Sequence, residues 1–238
     1  MRMSLVIFET RGSLAHFRRP DTLGTHATYP FITRTALHGL IASVLGRQTL
    51  PDNTRCGIRL LSPVRAVTQE LSLHGKTWTA GSGAEATFSR PTAIELLVNP
   101  AYRLFYDGEL AEELIQRLAQ SHSHYHTYLG TAYCLTVPRL VRAVAADGVQ
   151  EVTPEDGELE STTVIPAPAV QRLHSQAGRQ YARVGGMLYQ HLGKRRFRGT
   201  INLLYEVQGL PIRFTTAKIN EPFWQFVRVP DEGVICLW

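Results

Sequence analysis

Cysteine is scarce in this sequence: Cys56, Cys134 and Cys236 are the only three in 238 residues. An odd number at such wide spacing makes neither a disulfide framework nor a four-ligand zinc site. Long apolar runs are missing too. The opening MRMSLVIFET holds only a four-residue apolar run before Glu9, too short for the core of a secretory signal. No stretch approaches the ~20 apolar residues that span a bilayer. These absences point to a soluble cytoplasmic protein with free thiols and no membrane partner. Lysine is also rare, since 22 of the 25 basic residues are arginine and only Lys76, Lys194 and Lys218 are lysine. Arginine forks suit phosphates and stack on bases, although a GC-rich genome gives the same bias.

What is present is globular. Hydrophobic residues make up 44% and charged residues 19%, a composition that folds. At roughly 100–200 residues per domain, the length allows one large domain or two small ones. The net charge of +5 hides an uneven distribution. Residues 1–66 hold nine arginines against Glu9, Asp21 and Asp52. Residues 171–198 hold seven basic residues and no acid. The stretch 147–160 carries Asp147, Glu151, Glu155, Asp156, Glu158 and Glu160 with no basic residue. Two basic segments and an acidic one form the footprint of a polyanion-binding face, with the acid turned away.

Hydrophobic periodicity orders the first half of the chain. Residues 4–9 (SLVIFE) read as a short buried strand. A loop rich in Gly, Pro, His and Arg runs from Thr10 to Pro30. A helix follows, with Ala36, Leu37, Leu40, Ile41, Val44 and Leu45 on one face, Thr33 as N-cap and Gly46 as its stop. Residues 57–71 read as one strand with an edge or bulge at Pro63. Segments 76–80 and 84–88 flank Gly81-Ser82-Gly83 and read as a projecting hairpin. Residues 93–98 (AIELLV) return as a strand, 108–119 form a second helix, and 127–137 (TYLGTAYCLTV) read as a fourth strand. Strand, helix, strand, hairpin, strand, helix, strand is the α+β layout of a ferredoxin-like (RRM-like) βαββαβ domain with an inserted hairpin. The expected units are 1–140, with a thumb hairpin at about 70–92, and a β-rich region 141–238 packed on it. In that region short β segments are expected at 162–166, 200–207, 211–217 and 223–229.

The run FETRGSLAHFRRPDTLGTHATYPFITRTALHGLIASVLG, Phe8 to Gly46, carries the most specific signal. It holds a Gly-containing turn after the first strand, then Ala15-His16-Phe17-Arg18, Tyr29-Pro30, Thr33-Arg34-Thr35, and a helix with Gly39-Leu40 that ends in Leu45-Gly46. Together with Tyr128-Leu129-Gly130 it resembles the Cas-five family of CRISPR-associated proteins, subunits of type I crRNA-guided (Cascade) complexes, in its type I-B flavour. The resemblance implies an antiviral-defence ribonucleoprotein. In it the chain binds and caps the 5′ handle of the crRNA and contacts a Cas-seven backbone subunit and a large, Cas-eight-type subunit. Target DNA would be met only indirectly. The resemblance also implies the ferredoxin-like domain with its thumb. In type I-C a member also cuts precursor RNA with Tyr, Lys and His side chains; THATYPFITRTALHGL looks more like the non-cutting branch.

The residues support the same chemistry. His16, Phe17, Arg18, Arg19, His26, Tyr29, Arg34 and Thr35 cluster beside a helix start, and guanidinium–phosphate pairing and stacking on aromatic rings are how irregular RNA is read. The other reading of this loop is a solvated linker with a buried Phe17. Lys194, Arg195, Arg196 and Arg198 interleave with Phe197 and are read either as RNA contacts or as a solvated face. On the hairpin, Lys76 is a further phosphate candidate, and Trp78 is a stacking wedge or a packing anchor. His122, His124 and His126 tempt a metal reading, but no carboxylate or cysteine lies near them in sequence, so a polar turn is expected and no metal or cofactor. The rival function is a metal-independent endoribonuclease. It would use His16, His26 and Tyr29 as acid and base, with Arg18 stabilising the phosphorane.

Overall fold

The computed structural model describes residues 4–22, 24–76, 87–153, 157–194, 196–217 and 223–238. Among them the chain is mixed α+β, mostly strands with two α-helices. The first half contains β1 (Leu5–Arg11), β2 (Leu14–Ala15), α1 (Arg34–Leu45), β3 (Arg55–Leu60), β4 (Ala66–Lys76), β5 (Thr87–Val98), β6 (Ala101–Asp107), α2 (Ala111–Ala119) and β7 (Arg139–Val144). The second half adds β8 (Gln150–Val152), β9 (Glu158–Ser161), β10 (Ile165–Pro166), β11 (Val170–Leu173), β12 (Tyr181–His191), β13 (Phe197–Glu206), β14 (Ile212–Thr216), β15 (Gln225–Val229) and β16 (Gly233–Leu237).

The central sheet has the order β3-β6-β1-β7, with every neighbouring pair antiparallel. β1 explains why its apolar run is unbroken: it is covered on both faces. Val6 and Phe8 join the core beneath α1 and α2, while Leu5 and Ile7 pack with Phe105, Val227 and Ile235 on the other side. That second layer is the six-stranded sheet β11-β14-β9-β16-β15-β8. α1 begins where Thr33 Oγ1 accepts from the Ala36 amide at 3.1 Å, and it ends at Gly46 with φ +70°, as the cap residues predict.

Three sequence expectations change. The single strand at 57–71 is two, β3 and β4, separated at Ser62-Pro63, where proline cannot donate to a ladder. AIELLV does not enter the central sheet. It is the end of β5, which pairs with β4 from Ala66↔Leu97 to Lys76↔Thr87 and with β2. The third central strand is AYRLFYD at β6, which the pattern reading left unassigned. The fourth is β7, not 127–137. That stretch is a turn closed by Leu129 N–H to the Cys134 carbonyl at 2.8 Å. In the second half, β8, β9, β11, β12 and β16 come in addition to the expected segments.

A buried carboxylate helps to join the layers. Glu232, almost fully buried, accepts from Arg59 at 3.1 Å on β3 and from Arg103 at 2.9 Å on β6, and Arg103 also reaches Glu9 at 2.6 Å. The two arginines remain about a quarter exposed. Replacing Glu232 with alanine therefore removes the counter-charge of Arg59 and leaves Arg103 with Glu9 alone. Chemical denaturation should show a loss of about 2–4 kcal/mol, and a variant as stable as wild type would remove this joint from the account.

Candidate nucleic-acid interface

The chain between β2 and α1 is an irregular ribbon pinned by its own main chain. Tyr29 N–H donates to the Phe17 carbonyl at 2.8 Å, and Arg19 N–H to that of Ala27 at 2.9 Å. The ribbon lies along β5: His26 N–H donates to the Ala93 carbonyl, Glu95 N–H to that of His26, and Thr28 N–H to the Glu95 carboxylate. Its other side meets the 127–136 turn, where His16 N–H donates to the Leu129 carbonyl at 3.1 Å. Gly130 makes that approach possible. It has φ +89°, and a Cβ there would stand 2.0 Å from the His16 carbonyl oxygen.

From the far end of the sequence, the β12–β13 hairpin comes to the same place. β12 is bulged between Val184 and Met187, and the exposed Gly186 carbonyl accepts the Tyr29 hydroxyl at 3.0 Å. The hairpin turn puts His191 opposite Phe197, ring centroids 5.2 Å apart. Between ribbon, helix start and hairpin lies a groove of about 380 Å³, lined by His16, Phe17, Arg18, Tyr29, Thr33, Thr35, Gly130, Leu188, His191 and Phe197. The two basic segments are thus neighbours in space.

The candidate residues fall into three groups. Arg18, Lys194, Arg196 and Arg198 are exposed, and Phe197 is 41% exposed at the groove wall. The strand pleat turns Arg198 to the opposite side from Phe197. Thr35 and His26 are half-buried, and Arg19 is paired with Asp21 at 2.7 Å over the Tyr29 ring. His16, Phe17, Tyr29 and Arg34 are buried. Trp78 and Arg195 lie outside the described residues, as does the side chain of Lys76. His191 and Leu188 were not picked out from sequence. The signal for His191 was its position as the hairpin partner of Phe197.

Arg34 requires a correction. Its guanidinium does not face a phosphate but donates to three carbonyls, from Nε to Trp238 at 3.3 Å, Nη1 to Tyr189 at 3.0 Å and Nη2 to Thr54 at 2.8 Å. It also stacks on the Tyr189 ring at 4.2 Å. Burial, opposed by the Glu95 carbonyl hydrogen bond and reinforced by Arg18, holds His16 below its ordinary pKa, so it is neutral at pH 7. Burial raises the Tyr29 phenol. The His122–His126 loop caps the end of α1, with His124 and Tyr125 amides donating to the Val44 and Ser43 carbonyls. Among the described residues no three His, Cys, Asp or Glu side chains cluster as a metal site, and no helix is long and apolar enough to cross a membrane.

The profile of the CRISPR-associated protein (Cas_Cas5) family matches residues 5–220, which is most of the chain. The chain belongs to that family. Two solved structures share the fold. One is a chain of a CRISPR RNA-guided surveillance complex, with TM-score 0.53 at 14% identity over 87% of this chain and 91% of that one. The other is a CRISPR protein from Archaeoglobus fulgidus, with TM-score 0.53 at 10% identity over 98% of both. No curated protein matches the sequence.

Two outcomes test the helix start. Arg34→Ala strands three carbonyls and should lower unfolding stability by about 3 kcal/mol or more, read by denaturant titration. One turn along α1, burial first and then the Arg34 charge push His38 down to about 3 from 6.5. A depressed histidine pKa favours the folded state above pH 6.5, and that contribution fades as pH falls toward 3. At pH 5 about 2 kcal/mol should be gone. His38→Gln should show a smaller drop in melting temperature between pH 7.5 and 5 than wild type; equal drops would clear His38 of the effect.

Proposed function

We propose that this chain is a non-catalytic subunit of a type I CRISPR effector complex that binds and caps the 5′ handle of the crRNA and docks the backbone and large subunits. The observation that carries the reading is the groove where the N-terminal ribbon meets the β12–β13 hairpin. Handle RNA is single-stranded and irregular, and such RNA is recognised by phosphate contacts and stacking. Arg18, Lys194 and Arg196 offer cations with fork or ammonium geometry, and Phe197 with His191 offers an aromatic face. The N-terminal run favours the I-B branch, working in the cytoplasm.

The order β3-β6-β1-β7, with α1 between β1 and β3 and α2 between β6 and β7, supports a ferredoxin-like domain. We draw its end at Val144, because β7 runs past residue 140. The β4–β5 hairpin is our thumb. Protein partners are supported by exposed apolar side chains, Tyr125, Tyr128, Tyr133, Leu135 and Val137 in the segment before β7 and Val141 on β7 itself, which is the edge of its sheet. Target DNA would reach this subunit through those partners.

Binding is favoured over cleavage by two hydrogen bonds. Tyr29 spends its proton on Gly186, and His16 Nδ1 faces the Glu95 carbonyl at 2.7 Å. Neither is presented to a ribose hydroxyl. The test is the full chain with the repeat RNA of its own locus in EDTA, where the RNA should be bound and uncut. Arg18→Ala and Arg196→Ala should each weaken binding by about 1–3 kcal/mol and reduce the log–log salt slope by about 0.7. Specific cleavage would replace this reading by the endoribonuclease, and wild-type affinity in both variants would move the RNA away from the groove.

A further inference from the structure

Gly39 sits in the interior of α1, where glycine costs about 1 kcal/mol relative to alanine. Packing does not call for it, since an added Cβ would meet nothing within 4 Å. The space in front of it opens into a cavity of about 80 Å³. One wall is α1, a second is the 48–52 segment, and the third is the end of β12. Thr35 and His191 line both this cavity and the groove, so the two are neighbours.

The lining chemistry is not that of a phosphate site. The guanidinium of Arg34 is already occupied by three carbonyls. His38 is held neutral by its burial beside that cation. The carboxylate of Asp52 also lines the cavity and repels anions. Its Oδ1 accepts from Gln190 Nε2 at 2.7 Å, which fixes both side chains and leaves the second carboxylate oxygen and the Gln190 carbonyl as acceptors. Ala42, Leu50 and Pro51 supply apolar surface. This apolar surface, set among the polar side chains of Thr35, His38, Gln48 and Thr49 and the acceptors of Asp52 and Gln190, suits the face and edge of a flat heterocycle.

We propose that this cavity is a subsite for one unstacked nucleobase of the RNA held in the adjoining groove, a base carrying an exocyclic amino group. Adenine, cytosine and guanine donate from such a group to Asp52 and Gln190. Uracil has none and is disfavoured. The inference rests on the RNA-binding reading above.

The experiment uses the full chain and the repeat RNA of its own locus, with each handle nucleotide in turn replaced by an abasic or uridine residue. In wild type, one position should lose about ten-fold in affinity on either replacement. Gly39→Leu keeps a good helix former and fills the cavity. It should melt no lower than wild type, bind intact RNA about ten-fold more weakly, and be indifferent to the abasic change at that position. Asp52→Asn introduces a donor and should abolish the preference against uridine there, a readout that does not depend on filling the helix. Unchanged affinity and an unchanged substitution profile in both variants overturn the subsite while leaving RNA binding in place. Failure of wild type to bind the repeat RNA overturns the RNA reading, and this inference with it.

Discussion

A buried arginine that has no carboxylate partner among the described residues holds the candidate site together. Arg34 enters the interior at the first residue of α1 and is compensated by carbonyl dipoles and the Tyr189 ring. Taking a guanidinium out of water is costly unless its donors are matched. The three carbonyls belong to Thr54 just before β3, Tyr189 on β12 and Trp238 just after β16. None of these segments can shift without leaving a charge unsatisfied. Trp238 exchanges two backbone hydrogen bonds with Cys56, at 2.9 and 3.1 Å, which ties the same knot to the central sheet. The orientation of the helix start, one wall of the groove and one wall of the adjoining cavity all follow from this contact.

Electrostatics separates what the knot assembles. The exposed cations of the ribbon and of the hairpin turn rim the groove on the side of α1. The acidic stretch 147–160 contributes β8 and β9 to the six-stranded sheet. The β15–β16 pair of that sheet covers the face of β1 and β6 that is turned away from the helices. A polyanion on the helix side therefore meets arginine first, with Glu151, Glu158 and Glu160 on the other sheet. Some of those carboxylates are spent on neighbours as well: Glu158 pairs with Arg213 across β9 and β14.

The helices and the first strand were legible because their information is local. Thr33, the 3.6-residue apolar stripe and Gly46 define α1 without reference to anything else, and a short unbroken apolar run defines β1. The middle of the chain misled because register is not local. AIELLV is the most strand-like run there, yet its partner is β4, and the less conspicuous AYRLFYD takes the central position because its alternate residues fill both faces of the sheet. At the site, sequence could name the two basic segments but not that they meet. Their meeting depends on a bulge at Gly186 and a close approach at Gly130, two features that composition does not encode. Arg34 was misassigned for a related reason. An arginine beside histidines and tyrosine reads as a phosphate ligand until the three carbonyls that surround it are known.

Glycine at these positions shows how the fold trades stability for access. Gly130 is required by contact, since a side chain there collides with the ribbon backbone. Gly39 is required by nothing that touches it, and a helix interior is where an unneeded glycine is most readily replaced by a residue with lower backbone entropy in the unfolded chain. Keeping it leaves open a cavity whose other walls are set by Arg34 and by the Asp52–Gln190 pair. The knot that fixes the groove therefore also fixes the recess behind it, so an occupant of the recess would report directly on how the groove is held.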